Sequence, residues 1–333
     1  MLTASHVRGR LAPSPTGHLH LGNAWAFLLC WLAVRKADGT VILRMEDIDP
    51  DRSKTEFATD IITDLHWLGL DWDEGPDCGG DNAPYTQSEK LDRYAEVIAQ
   101  LSERGLTYPC YCTRKELRSL ASAPHKGEFG PAYPGTCLHL SASRKAELEA
   151  AGRRPSLRLH ADSPDLSFHD RLCGDQHQTW EECGGDFPLR RSDGVISYQL
   201  AVAVDDIDQN VTLVMRGDDI LHCTPRQVYL YKLLNARRPD YAHVPLVLDA
   251  EGERLAKRHK HFELRALREM GISAKAIIGY LGYRAGLLPE PKLAQAQELL
   301  THFSLEKLPK QAIQLEKDIE EILKKLSEKE NKL

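Results

Sequence analysis

No apolar run in this chain of 333 residues reaches the ~20 residues that a helix needs to cross a bilayer, so no membrane partner is expected. The opening MLTASHVRGR lacks the apolar core of a secretory leader, and the expected location is the cytoplasm. A positive excess is missing too: 43 Lys and Arg face 49 Asp and Glu, a net charge of −6. That balance argues against a general polyanion binder and against DNA as a partner, while local basic clusters still suffice for an RNA. Lys257-Arg258-His259-Lys260 is one such cluster; Arg237-Arg238 reads as ordinary solvated surface. Of the eight cysteines, only 110, 112 and 137 are spaced closely enough to share a task. The 42% hydrophobic and 28% charged content then leaves an ordinary globular protein, long enough for one large domain or two smaller ones.

What is present starts at residues 8–23, RGRLAPSPTGHLHLGN. A strand-like run from Val7 to Ala12 breaks at Pro13 and Pro15, passes Thr16-Gly17 and enters an apolar helical run, Trp25 to Val34. A strand, a Gly/Pro turn and a helix start in that order hold nucleotide phosphates on many α/β folds. His18 and His20 stand at the mouth of that helix beside Gly22, which has no side chain to block a close ligand.

Residues 1–105 alternate strand and helix, which predicts a parallel sheet with crossovers and an α/β fold. Thr40 to Met45 is a strand leading into Glu46-Asp47-Ile48-Asp49. Ser53 caps a helix from Lys54 to Leu68, and Ser88 opens another that closes at Gly105. Residues 106–185 read as an insertion. Residues 186–260 return to strands, with Val195 to Val204 as a buried strand and Val211 to Arg216 pairing beside it, then a helix from Arg226 to Asn235. Residues 261–303 are a helical C-terminal part. In the Lys/Glu-rich tail, 304–333, Leu305, Ala312, Ile319, Leu326 and Leu333 recur at heptad spacing, with Leu308, Leu315 and Ile322 in the second register. A coiled coil, a helix packed on its own domain and a non-native extension are all open for it.

Four residues suggest a pocket for an acidic amino acid. Arg10 and Arg216 offer planar forks suited to carboxylates, Glu46 at a strand end can pair with an ammonium, and Tyr198 adds a phenol. Lys257 follows the strand Pro245 to Leu248 and the turn Asp249 to Gly252, where a mobile cation can meet a leaving phosphate. Cys110, Cys112 and Cys137 have metal-ligand spacing; composition alone offers His125 or His139 as a fourth ligand.

Residues 8–23, with the strings MEDIDPDR and VMRGDDIL, resemble the class I aminoacyl-tRNA synthetases, specifically their glutamyl/glutaminyl branch. His20-Leu21-Gly22-Asn23 matches the HIGH element, with Asn in the fourth place. Residues 251–258 match the KMSKS loop, with Arg254 for its first lysine and Ala256 for its serine. The resemblance implies a Rossmann-like catalytic domain with an inserted zinc-binding subdomain and a short helical C-terminal region. It implies ATP bound by His20, Gly22, Asn23, Arg254 and Lys257 with Mg2+ on the phosphates, and transition-state charge met by His18, His20 and Lys257. L-glutamate is then held by Arg10, Leu11, Ala12, Pro13, Ser14, Glu46, Tyr198 and Arg216. One structural Zn2+ takes Cys110, Cys112, Cys137 and, in place of a histidine, Tyr133. The loss of a hydroxyl at Ala256 puts the turnover in question.

Residues 261–333 are too few for the large helical anticodon-binding region of a discriminating glutamyl-tRNA synthetase. The chain, over about residues 6–290, resembles the short branch of this family that attaches glutamate, without tRNA for the activation step, to the queuosine base in the anticodon of tRNA(Asp). Two other readings stand beside it: a short synthetase charging the 3′ end of tRNA(Glu), and a non-catalytic tRNA-binding paralogue, favoured by Ala256 alone.

Overall fold

The computed structural model describes residues 6–113, 115–117, 132–162, 166–255 and 260–330, with backbone only at Lys260. The first half of the fold comprises β1 (Arg8–Leu11), α1 (Leu21–Lys36), β2 (Thr40–Leu43), α2 (Thr55–Trp67) and α3 (Leu91–Glu103). Then come β3 (Thr107–Cys110), α4 (Ala142–Ala150), β4 (Ser156–Leu159), β5 (Phe168–Asp170), β6 (Gly174–Gln176) and β7 (Pro188–Arg190). The second half holds α5 (Tyr198–Asp208), β8 (Leu213–Gly217), α6 (Thr224–Leu233), β9 (Asp240–Val244) and β10 (Val247–Leu248). It closes with α7 (Leu264–Glu269), α8 (Ala274–Arg284), β11 (Ile313–Gln314) and α9 (Ile319–Glu330).

The main sheet runs β2-β1-β8-β9-β5-β6, parallel except for the β5–β6 hairpin. The chain leaves β1 toward β2 and returns on its other side as β8, so the crevice beyond the C-terminal ends of β1 and β8 is the place where such sheets bind ligands. The apolar run of α1 packs flat on β1, and Gly9 permits it: a Cβ there would sit 2.3 Å from Val34 Cγ2. The α/β class and parallel sheet are as expected.

Several local expectations are corrected. Val195 to Val204 is not a strand. Tyr198 begins α5, capped by Ser197, whose hydroxyl accepts from Leu200 N. The helix is buried on nearly every face, so its apolar run carries no period that separates helix from strand. The neighbours of β8 are β1 and β9 instead. Ser53 does not cap α2; the N-cap is Lys54, whose side chain makes no capping bond. Ser88 bonds Asp47 through its hydroxyl at 2.6 Å, and α3 starts three residues later, after a single 3-10 turn.

The segment 106–185 does not form one sheet. Its β3 and β4 pair antiparallel with β7, which lies beyond it, whereas β5 and β6 lie at the edge of the main sheet.

The tail is no continuous heptad helix. Pro309 cannot continue one, and the chain passes through a 3-10 turn (Leu305–Lys307) and β11 before α9 begins. Leu308, Ile313, Leu315, Ile319, Leu323 and Leu326 join the same core as α1 and β1. Leu333 lies outside the described residues. No described helix is long and apolar enough to cross a membrane.

Candidate active site

The turn after β1 delivers its imidazoles differently. His20 is the N-cap of α1: its Nδ1 accepts from the backbone N–H groups of Gly22 (3.1 Å) and Asn23 (3.3 Å). Asn23 Oδ1 accepts in return from His20 N at 3.0 Å, so the Asn in the fourth place closes a capping box. An Nδ1 that accepts leaves the ring proton on Nε2, making His20 a neutral donor. A Cβ on Gly22 would come within 3.0 Å of His20 Cε1, so glycine keeps this cap in place. His18 instead sets Nδ1 3.1 Å from Asp60 Oδ2.

These residues border a cleft of about 410 Å3 at the ends of β1 and β8. It brings together Arg10, Ala12, Pro13, Ser14, His18, His20, Asn23, Glu46, Tyr198 and Arg216. Leu11 does not reach it, being fully buried in the core, and Gly22 and Arg254 lie outside the lining. Arg254 forms an ion pair with Asp219, which does line the cleft. On the far side of the loop, Leu264 N donates to Leu19 O at 2.8 Å, and Glu263 bridges His20. Lys257 and Ala256 lie outside the described residues; both flanks of their loop are fastened to the walls of the cleft.

The deep wall is a network of charges. Arg216, 6% exposed, donates from Nη2 to Thr224 Oγ1 and Gln227 Oε1, both at 2.8 Å, and from Nε to His243 Nε2 at 3.0 Å. Nη1 reaches Tyr198 Oη at 3.4 Å and has a second proton for a ligand. His243 lies directly across from Arg216 in the β8–β9 ladder, and its Nδ1 is 2.6 Å from Asp170 Oδ2. Burial pushes the His243 imidazole down to about 4. Asp170 is held at about 2 despite its own burial, because His243 and the amides of Leu172 and Cys173 bond its carboxylate. Burial pushes the Tyr198 phenol up to about 12.

Arg10 donates from Nε to Asp206 at 3.3 Å. Arg44, fully buried between the two, meets Asp206 at 2.7 Å and Glu46 at 3.1 Å. Burial raises the Glu46 carboxyl, against the pull of Arg44 and Arg10. Asp205 meets Lys90 at 2.9 Å and Tyr94 Oη at 2.8 Å. Sequence reasoning missed Arg44, Asp205, Asp206, His243 and Asp170. One signal was available: Asp205-Asp206 interrupts an apolar run, and a buried carboxylate needs a partner.

The cysteine cluster is a second centre. The Sγ atoms of Cys110, Cys112 and Cys137 lie within 4.8 Å of one another, with 3.6 Å between Cys112 and Cys137. Tetrahedral Zn–S bonds of about 2.3 Å set sulfurs about 3.8 Å apart, so the set fits zinc. Tyr133 Oη lies 3.2 Å from Cys110 Sγ and 3.6 Å from Cys112 Sγ, in the fourth corner, and the Arg158 guanidinium stacks on its ring at 3.9 Å. His139 is not part of the cluster, and His125 lies outside the described residues.

Residues 6–324 match the family described as tRNA synthetases class I (E and Q), catalytic domain, and the chain belongs to that family. Within it, the chain is 56% identical to a glutamyl-Q tRNA(Asp) synthetase of Nitratidesulfovibrio vulgaris over 96% of this chain and 98% of that protein. A protein of the same name from Symbiobacterium thermophilum is 47% identical over 92% and 95%. A glutamate–tRNA ligase 2 of Acidithiobacillus ferrooxidans is 44% identical but matches over only 62% of its length. Among solved structures, a glutamate-tRNA synthetase from Elizabethkingia anophelis superimposes with a TM-score of 0.81 at 26% identity, over 95% of this chain and 69% of that one.

Proposed function

We propose that this chain activates L-glutamate with ATP, without RNA, and transfers it to the queuosine base in the anticodon of tRNA(Asp) in the cytoplasm. The observation that carries this reading is the cleft itself, where two guanidiniums, a carboxylate and a phenol meet beside the capped start of α1. The names of the relatives that match over more than nine-tenths of both chains support the choice of RNA.

Arg216 Nη1 and Arg10 take the carboxylates of glutamate, and Glu46 takes its ammonium. Ser14 and the Ala12-Pro13 backbone shape the wall beside them. The α-carboxylate attacks the α-phosphate of ATP; the new P–O bond gives glutamyl-adenylate, and pyrophosphate leaves. Charge growing on the phosphates is met by His20 Nε2–H, by His18 and by the positive end of the α1 dipole; Lys257 and Arg254 attend the leaving group. Mg2+ would accompany the phosphates and spread their charge. Zn2+ would be held by Cys110, Cys112, Cys137 and Tyr133, tying the small sheet together.

Two measurements test this. Glutamate-dependent ATP–pyrophosphate exchange is expected with no RNA present; its absence from metal-replete protein rejects the activation step. With labelled glutamate and queuosine-bearing tRNA(Asp), nuclease digestion is expected to leave label on the anticodon fragment. Label on the 3′-terminal adenosine would instead make the chain a short tRNA(Glu)-type charging enzyme.

A further inference from the structure

Of the two imidazoles at the cleft, only His20 has its orientation fixed by its own helix. His18 Nδ1 is shut off from solvent and has no aligned hydrogen bond among the described residues. The group it faces is Asp60, 3.1 Å away on α2. Phe57, one helical turn before Asp60, meets the same ring edge-on at a centroid distance of 4.9 Å. One face of α2 thus offers a carboxylate and a phenyl to a single imidazole.

Asp60 also faces away from the cleft. Arg265 of α7 lies 3.8 Å from the same Oδ2, and one turn further along both helices Arg268 meets Asp64 at 3.1 Å. Two acid–guanidinium pairs therefore join α2 to α7, and α7 begins where the loop bearing Lys257 rejoins the described chain. Asp60 is the member of this set that also reaches a residue of the cleft. The titratable and charged groups around it are His18, Asp64, Arg265 and Arg268.

The chemistry of the two rings differs accordingly. His20 has Nδ1 occupied by amide protons and is fixed as a neutral Nε2–H donor. In His18, Nδ1 faces the Asp60 carboxylate and the ring meets Phe57 edge-on, so its orientation is set from α2 rather than from its own helix. We propose that Asp60 is a positioning residue for ATP activation: it holds the His18 ring at the wall of the cleft through Nδ1, and through Arg265 it links that ring to the helix that follows the Lys257 loop. This rests on the adenylate-forming reading above.

The test is a double-mutant cycle read by glutamate-dependent ATP–pyrophosphate exchange on the full chain, using Asp60→Asn, Asp60→Glu, His18→Gln and the Asp60→Asn/His18→Gln pair. Asp60→Asn is expected to lower kcat about tenfold with KM for glutamate unchanged. Asp60→Glu is expected to restore most of that loss, and Asp60→Asn is expected to cost little further once His18 is Gln. Equal losses in both backgrounds, or an unchanged kcat, would overturn the role of Asp60 while leaving the activation reading intact. If thermal melting shows Asp60→Asn to be unfolded, the cycle is read with Arg265→Gln and Asp60→Glu; additivity of Arg265→Gln with His18→Gln overturns the link in the same way. No exchange by the unaltered chain would remove the reading itself, and this proposal with it.

Discussion

His243 decides how Arg216 is held. Its Nε2 accepts from the guanidinium and its Nδ1 faces Asp170, so the ring must stay neutral to do both. The unfolded chain takes up a proton near pH 6.5, whereas the folded ring resists it down to about 4. Between those values the unfolded state binds more protons, so stability is full above pH 6.5 and falls as pH drops toward 4. The difference amounts to about 3 kcal/mol. Urea unfolding from pH 7.5 to 4 is expected to show this acid limb, and His243→Gln, titrated alongside, is expected to flatten it; an identical slope would count against a neutral buried His243. Arg10, Glu46, Tyr198 and Arg216 were legible in the sequence because each brings a functional group to a recognisable string. Their supports were not. A histidine in DYAHV shows its role only once β9 is known to lie beside β8, and that adjacency joins segments with no local pattern in common.

At the scale of elements, the sequence was clear where period and turn chemistry agreed, as in β1, α1, β2 and α6. It misread a strand where burial erased the period, as in α5, and was misleading where period outran chemistry, as in the tail. There a seven-residue spacing crosses Pro309, and leucines that would form a seam between two helices instead enter this chain's own core. Leu323, fully buried where α9 packs against α8, tests the difference. Leu323→Ala is expected to cost about 2–5 kcal/mol in urea unfolding. The hydrodynamic radius and its concentration dependence are expected to stay as in the unaltered chain, whereas a coiled-coil tail would lose association instead.

For the whole molecule, the apolar interior is divided. The cleft rests on the large cluster that includes α1, β1 and α9, while Tyr108, Cys110, Tyr111, Cys137 and Leu148 form a separate small one around the thiols. With the proposed zinc bound, a cluster that small would depend on the metal to a degree the main core does not. Cys112→Ala is expected to lose zinc by elemental analysis and to reduce glutamate transfer to RNA several-fold more than pyrophosphate exchange; retained zinc, or equal loss of both activities, would reject this division of labour. The C-terminal residues bear on the cleft in another way. Ile313 N and Leu315 N donate to Leu246 O and Leu248 O, and Gln314 Nε2 donates to Ala250 O. Those carbonyls lie in and on either side of β10, the last strand before the turn that leads to Arg254. An economical truncation designed to keep only the nucleotide fold would therefore strip a brace from the very rail that leads toward the cation proposed to face the phosphates.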